Sequence, residues 1–236
     1  MLSVVVPAFN EAGRLPATLR ALRVYLDGAG EEYEEYEVIV VDDGSGDGTA
    51  ELATQVASRW PQLHVIRLPQ NRGKGAAVRA GMLAARGDLR LFTDADLSTP
   101  ITEIAKLRPA IEGTTAIAIG SRAVADAQVE VHQPAGRELM GRTYNRLLQF
   151  LVLPGLHDTQ CGFKLFTADA AVACFTPLRT PGFGFDAEVL LRARHLGFGV
   201  AEVGVLWRHA QNSRVSPLRD SLRTLVDLIR LRLHRD

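Results

Sequence analysis

Cysteine is almost missing: Cys161 and Cys174 are the only two in 236 residues, too few for a disulfide framework or a zinc ligand set in a chain of this size. With no secretory signal read ahead of them, the expected setting is a reducing cytoplasm. Long apolar runs are absent as well. None approaches the roughly 20 residues that span a bilayer, so any membrane contact is expected to be peripheral, at the inner face. Excess charge is lacking too, because 27 basic residues balance 27 acidic ones. A global field that draws a protein onto nucleic acid is therefore not indicated, and no nucleic-acid partner is expected. Lysine is scarce, with only Lys74, Lys106 and Lys164 among the basic residues; the rest are arginines, whose planar fork suits bidentate phosphate contacts. The balance hides local asymmetry. Glu31 to Glu37 forms an acidic patch, whereas residues 189 to 236 carry nine Arg against four acidic residues.

What is present is a 47% hydrophobic content, enough for one sizeable α/β core. Short β-rich runs alternate with helical ones: Ser3 to Ala8, Arg14 to Asp27, Glu37 to Val41, Thr49 to Arg59, His64 to Leu68, Gly75 to Arg86 and Leu89 to Thr93. This pattern predicts a Rossmann-like, mainly parallel sheet with crossover helices. Ligands bind such sheets at the carboxyl ends of the strands, and the polar motifs fall there. Pro7-Ala8-Phe9-Asn10-Glu11 follows the first strand, Asp42-Asp43-Gly44-Ser45 the second, Gln70 to Gly75 the third, and Asp94-Ala95-Asp96 the fourth. Four loops should meet on one rim.

The chemistry of that rim is coherent. Side chains at i and i+2 of an extended segment point the same way, so Asp94 and Asp96 can converge on one hard divalent cation and clamp a diphosphate. Asp42 or Asp43 can accept from a base or ribose. Gly73 and Gly75 leave amides open at a helix start, beside the Lys74 cation, as a phosphate site requires. Competing readings fail on spacing. The run from Asp43 starts like a calcium loop, but its twelfth position is Thr54, not Glu. Asn71 to Gly75 lacks the Walker spacing, and no G-x-G-x-x-G follows the first strand.

Together, Val4 to Glu11, Val41 to Thr49, Asn71 to Gly75 and Asp94 to Asp96 resemble the family-2 glycosyltransferases of GT-A fold. Asp158-Thr159-Gln160-Cys161-Gly162-Phe163-Lys164-Leu165-Phe166 and Phe185-Asp186-Ala187-Glu188 are similar to the branch that makes polyprenyl- or dolichyl-phosphate sugars, the β-glucosyltransferases most of all. The resemblance implies a GT-A domain over residues 1–215, with a nucleotide-sugar half at 1–120 and an acceptor half at 121–215. It implies that Pro7, Ala8, Asn10 and Glu11 line the nucleoside pocket, that Asp42 or Asp43 reads the base, and that Asn71, Gly73, Lys74 and Ala95 complete the nucleotide site. Asp94 and Asp96 would hold Mg²⁺ or Mn²⁺. Mannosyl relatives place a metal-assisting Gln two residues further on; here Ser98 stands there, and water is expected to fill its place.

For the acceptor, the resemblance implies that Arg122 of Gly120-Ser121-Arg122 meets a lipid phosphate, joined by Arg137 or Arg142, with Asp158 and Asp186 nearby. Trp207-Arg208 and Ser213-Arg214 resemble a mobile segment whose basic residues close over the diphosphates. The implied partners are a nucleotide sugar and a polyprenyl phosphate, and the implied reaction is inverting transfer, with glucose favoured. Transfer of mannose from GDP-mannose and transfer to a sugar hydroxyl remain as alternatives. A nucleotidyltransferase would need an early Gly-rich loop with a catalytic basic residue, and a non-catalytic binding module would be expected to have lost Asp94 or Asp96. At residues 216–236, Leu218, Leu222, Leu225, Val226, Ile229 and Leu233 recur at helical spacing, an amphipathic helix that either packs on the sheet or lies among lipid headgroups. The sequence leaves the oligomeric state open.

Overall fold

The computed structural model describes residues 1–33, 35–131 and 153–208. Its centre is a seven-stranded sheet built from β1 (Leu2–Ala8), β2 (Tyr36–Asp42), β3 (Leu63–Arg67), β4 (Leu89–Thr93), β5 (Thr115–Ser121), β7 (Phe163–Thr167) and β8 (Gly199–Gly204). The strand order is β3-β2-β1-β4-β7-β5-β8. Neighbours run parallel except at β7, which is antiparallel to both β4 and β5. The expected mainly parallel, GT-A-like α/β sheet is therefore what forms, with one reversed strand inside it.

Hydrophobic alternation explains the layers. Every residue of β1 is buried, as a strand covered on both faces should be. Val5, Ile39, Val41, Phe92 and Phe166 point into one core with α3 (Lys74–Ala84), α5 (Ala168–Phe175) and α6 (Phe185–His195). Val4, Val6, Val40, Leu91 and Leu165 point into the other, against α1 (Leu15–Gly28), α4 (Ile104–Leu107) and Trp60. In α1 the inward stripe is Leu15, Leu19, Leu22 and Leu26, at helical spacing, with Pro16 in the first turn where its missing N–H does no harm. Helix α2 (Thr49–Ala57) covers the β2 and β3 side and begins after Gly48.

Element ends fall within one or two residues of the sequence expectation. One acidic residue departs from the expected patch. Glu37 is buried in β2, accepts from Ser3 Oγ at 2.6 Å and from the Arg86 backbone N–H at 2.7 Å, and so ties β1 and β2 to the end of α3. Burial opposes its charge, but these bonds win and hold its carboxyl below the usual range. A second, two-stranded sheet pairs β6 (Gln128–Val131) with β9 (Leu206–Arg208) in parallel. Among the described residues, no helix is long and apolar enough to cross a membrane.

Candidate active site

Strand register brings the rim together. Pro7 and Ala8 at the end of β1 lie beside Val41 and Asp42 at the end of β2, and β4 ends one residue before Asp94. Asn10 takes a left-handed backbone with φ 54°, which an Asn tolerates better than most residues. Its N–H donates to Ser45 Oγ at 2.8 Å and its Oδ1 accepts from Gly46 N–H at 3.0 Å. Glu11 N–H donates to Thr49 Oγ1 at 2.8 Å. The first two loops are thus stitched into one wall.

Asp42 and Asp43 organise these loops. Asp42 is fully buried and accepts from Ser45 N–H at 3.2 Å. Asp43 accepts from the backbone N–H groups of Arg72 and Gly73, each at 2.8 Å, so both its oxygens fix the loop that starts α3, and the Gly73 amide expected to stay open for a phosphate is taken by this carboxylate. Burial, then the neighbouring Asp42, push its carboxyl up against the pull of those amides. Gly73 has φ 101°, and a Cβ there would meet Pro181 O at 2.5 Å; only glycine fits. Asn71 lies exposed on the same loop, one residue before Arg72.

The Asp94-Ala95-Asp96 turn is held from several sides. Asp94 N–H donates to Gly162 O at 3.2 Å, Leu97 N–H donates to Asp94 O at 3.1 Å, and Ser98 N–H donates to Asp96 Oδ1 at 3.0 Å. Thr18 of α1 donates its hydroxyl to Ala95 O. Gly162 packs so closely that any Cβ there would run into the Asp94 carboxylate. Lys74 Nζ lies 2.5 Å from Asp94 Oδ1. Burial disfavours its charge, yet Asp94 and Asp186 outweigh that and raise its pKa. Both carboxylates remain partly exposed, 36% and 23% for Asp94 and Asp96, so an ion can reach them. The chain turns here instead of running on extended as expected, so strand alternation does not align the two carboxylates; as hard oxygen donors they still suit Mg²⁺ or Mn²⁺. Among the described residues no His, Cys, Asp or Glu cluster of three or more that could hold a metal forms.

Two further groups lie behind the turn. Lys164 is completely buried, ion-paired to Asp186, bonded to Cys161 O at 2.5 Å and 5.1 Å from the centre of the Phe92 ring. Burial drives the Asp186 carboxyl up while Lys164 and Lys74 pull it down. Arg122, just after β5, grips buried Asp158 through Nε at 2.6 Å and Nη2 at 2.8 Å, and its backbone N–H adds a third bond at 3.0 Å. Its guanidinium lies 5.3 Å from the Trp207 ring centre. Burial opposes both charges, but the pairing prevails, raising the Arg122 pKa and lowering that of Asp158. Asp94 adds a smaller upward push on the Arg122 pKa.

Arg208 is an element of β9, not of a free segment. Its N–H donates to Ser98 O at 2.8 Å, beside the Asp94 to Asp96 turn, while its guanidinium meets Glu130 at 2.5 Å. Arg137, Arg142, Arg214 and the helix expected at 216–236 lie outside the described residues. Two site residues escaped the sequence reading. Lys164 sat inside a recognised motif with no hint of its burial. Arg14 looked like a helix start, yet it bonds Glu11 at 2.6 Å and approaches Asp96 at 3.8 Å.

A parallel-rich α/β sheet with two carboxylates on a strand-end turn and a lysine at a neighbouring helix start is an arrangement that suits a group transferase with a phosphorylated donor. The chain belongs to glycosyl transferase family 2, whose profile matches residues 3–175, and it is a glycosyltransferase. It is 37% identical to dolichyl-phosphate β-glucosyltransferase of Homo sapiens, over 98% of this chain and 75% of the human one. It is 33% identical to the enzyme of that name from Saccharomyces cerevisiae, over 98% of this chain and 74% of that one. The fold matches glucosyl-3-phosphoglycerate synthase from Mycobacterium tuberculosis, in complex with Mn²⁺, UDP-glucose and phosphoglyceric acid, at TM-score 0.70 and 24% identity, over 97% of this chain and 79% of that one.

Proposed function

We propose that the protein transfers glucose from UDP-glucose to the phosphate of a polyprenyl or dolichyl lipid, with inversion and with Mg²⁺ or Mn²⁺ bound to Asp94 and Asp96. One observation carries this reading. Arg122 is aimed and fixed by a buried aspartate beside the donor turn, in a chain similar over 98% of its length to proteins named for that reaction.

The nucleophile sets what the residues must do. A lipid monophosphate has a second pKa near 6 and is largely dianionic at neutral pH, so no side chain need take its proton. The site agrees with that economy. Asp158 is bound on both oxygens by Arg122, and Asp186 is buried against Lys164, leaving neither poised as a free base. Arg122 holds the phosphate behind the anomeric carbon, and its fixed geometry removes the entropy of finding that alignment. Lys74, paired to Asp94 at the start of α3, offsets charge on the departing nucleoside diphosphate. Asn10, Glu11, Asp42 and Asp43 shape the nucleoside wall, with Pro7 and Ala8 at its base. A divalent cation supplies further neutralisation of the diphosphate when bound. Arg208, once released from Glu130, and Arg137, Arg142 and Arg214 would supply further positive charge for the two phosphates. One in-line displacement turns an α-linked donor into a β-linked lipid phosphate sugar. The lipid substrate would put the work at a membrane surface, and the cytoplasmic side belongs to the same proposal.

Purified protein incubated with Mg²⁺, polyprenyl phosphate and either labelled UDP-glucose or labelled GDP-mannose, then extracted into organic solvent, tests the reading. Label should enter the organic phase from UDP-glucose and depend on the lipid phosphate. Preferential uptake from GDP-mannose would move the donor assignment to mannose.

A further inference from the structure

Each carboxylate of the Asp94 to Asp96 turn has a basic side chain of its own. Lys74 covers Asp94 at 2.5 Å. Arg14, in the residue just before α1, stands over Asp96. Its Nε and Nη2 are fastened to Glu11 at 2.7 and 2.6 Å, so the guanidinium is fixed in orientation. The remaining nitrogen, Nη1, lies 3.8 Å from Asp96 Oδ2, close enough for charge attraction but too far for a hydrogen bond. That nitrogen is buried and has no hydrogen-bond partner. Leaving a buried donor unpaired is costly, and such groups in native folds call for an explanation.

The surroundings narrow the explanation. Glu11, Asp96 and Asp94 all raise the Arg14 pKa, so the group is a permanent cation. One turn along α1, the Thr18 hydroxyl donates to Ala95 O, which locks the start of the helix onto the turn. The unpaired N–H therefore waits, held in position, beside the carboxylates that face the donor diphosphate. We infer that Arg14 is a further donor-site residue with two alternating partners. In the free protein its charge offsets Asp96 and opposes occupation of the turn by a lone divalent cation. With the nucleotide sugar in place, Nη1 donates to a diphosphate oxygen. This inference rests on the reading of the site as a nucleotide-sugar site.

Its signature is a pair of effects of opposite sign. Arg14→Met should tighten Mn²⁺ binding without nucleotide by about fivefold or more, because a cation beside the site is gone. It should weaken UDP binding without metal by about fivefold or more, through loss of a charged hydrogen bond. Mn²⁺ is followed by electron paramagnetic resonance titration and UDP by calorimetry, on full-length protein whose fold is verified by circular dichroism. A purely structural role would weaken both, and that result, or no change in either, overturns the inference. Should Arg14→Met fail to fold, Arg14→Lys decides: it keeps the charge and loses the fork. Mn²⁺ affinity should then stay within about twofold while UDP binding weakens by at least about threefold; unchanged UDP affinity overturns the inference. Wild-type protein that binds neither probe overturns the reading of the site itself, and this inference with it.

Discussion

Arg122→Ala separates three quantities that the geometry ties together. The guanidinium makes two hydrogen bonds to Asp158, at 2.6 and 2.8 Å, and the aspartate is 1% exposed. Truncation leaves that carboxylate buried with only backbone N–H donors, from residue 122 at 3.0 Å and Gln160 at 3.3 Å. Removing one partner of a buried pair costs about 3–5 kcal/mol. Because the Arg122 side chain is itself 27% exposed, the lower end, about 3 kcal/mol, is expected. Loss of a charged hydrogen bond to the acceptor phosphate adds about 1.5–3 kcal/mol to the barrier, so transfer to polyprenyl phosphate should fall at least about tenfold. UDP affinity should stay within about threefold. The assays are chemical denaturation, organic-phase transfer at saturating donor, and calorimetry with UDP. The double variant Arg122→Ala/Asp158→Asn removes the stranded charge and should recover most of the stability but none of the turnover. Folded Arg122→Ala that transfers at the wild-type rate, or that loses UDP affinity as steeply as turnover, refutes the assignment of Arg122 to the acceptor.

Asp96→Asn should abolish transfer while leaving the fold intact, since an amide is a poorer ligand for a hard cation; a wild-type rate at limiting Mg²⁺ would remove Asp96 from the metal site. Gly162→Ala should lower both Mn²⁺ affinity and turnover, because the new Cβ displaces the Asp94 carboxylate; paramagnetic resonance reads the first and organic extraction the second. Lys164→Met strands Asp186 in the interior and should cost about 3–5 kcal/mol of stability, measured by urea denaturation. Pairing it with Asp186→Leu should restore much of that loss, and a failure of the double variant to gain would place the cost elsewhere.

The sheet was legible because its strands are apolar and β-branched, Val4-Val5-Val6 and Val38-Ile39-Val40-Val41 above all, and because turn chemistry punctuates them. The rim was legible for the same reason: Asp94 and Asp96 come just after the end of β4, and Lys74 with its flanking glycines lies where the loop after β3 opens α3, positions that periodicity gives. Side-chain partners were not. Asp42 and Asp43 read as ligand groups from their place, yet Asp43 bonds two amides about thirty residues away, a contact that only the folded loop creates. Asp158 and Arg122 are separated by 36 positions, and nothing in either motif names the other. Lys164 shows the limit most sharply. Its burial follows from the antiparallel insertion of β7 between β4 and β5, a reversal that hydrophobic pattern alone does not encode. Arg14 went unread because an arginine before a helix is commonplace; only its distance to Asp96 gives it meaning.

The most direct test is the structure of the product. Protein, Mg²⁺, UDP-glucose enriched in ¹³C and a short polyprenyl phosphate should yield one lipid whose anomeric carbon couples to phosphorus and whose anomeric proton has the coupling of a β-linked glucose. A sugar attached through a hydroxyl, with no coupling to phosphorus, or an α-linked glucosyl phosphate would contradict inverting transfer to a lipid phosphate.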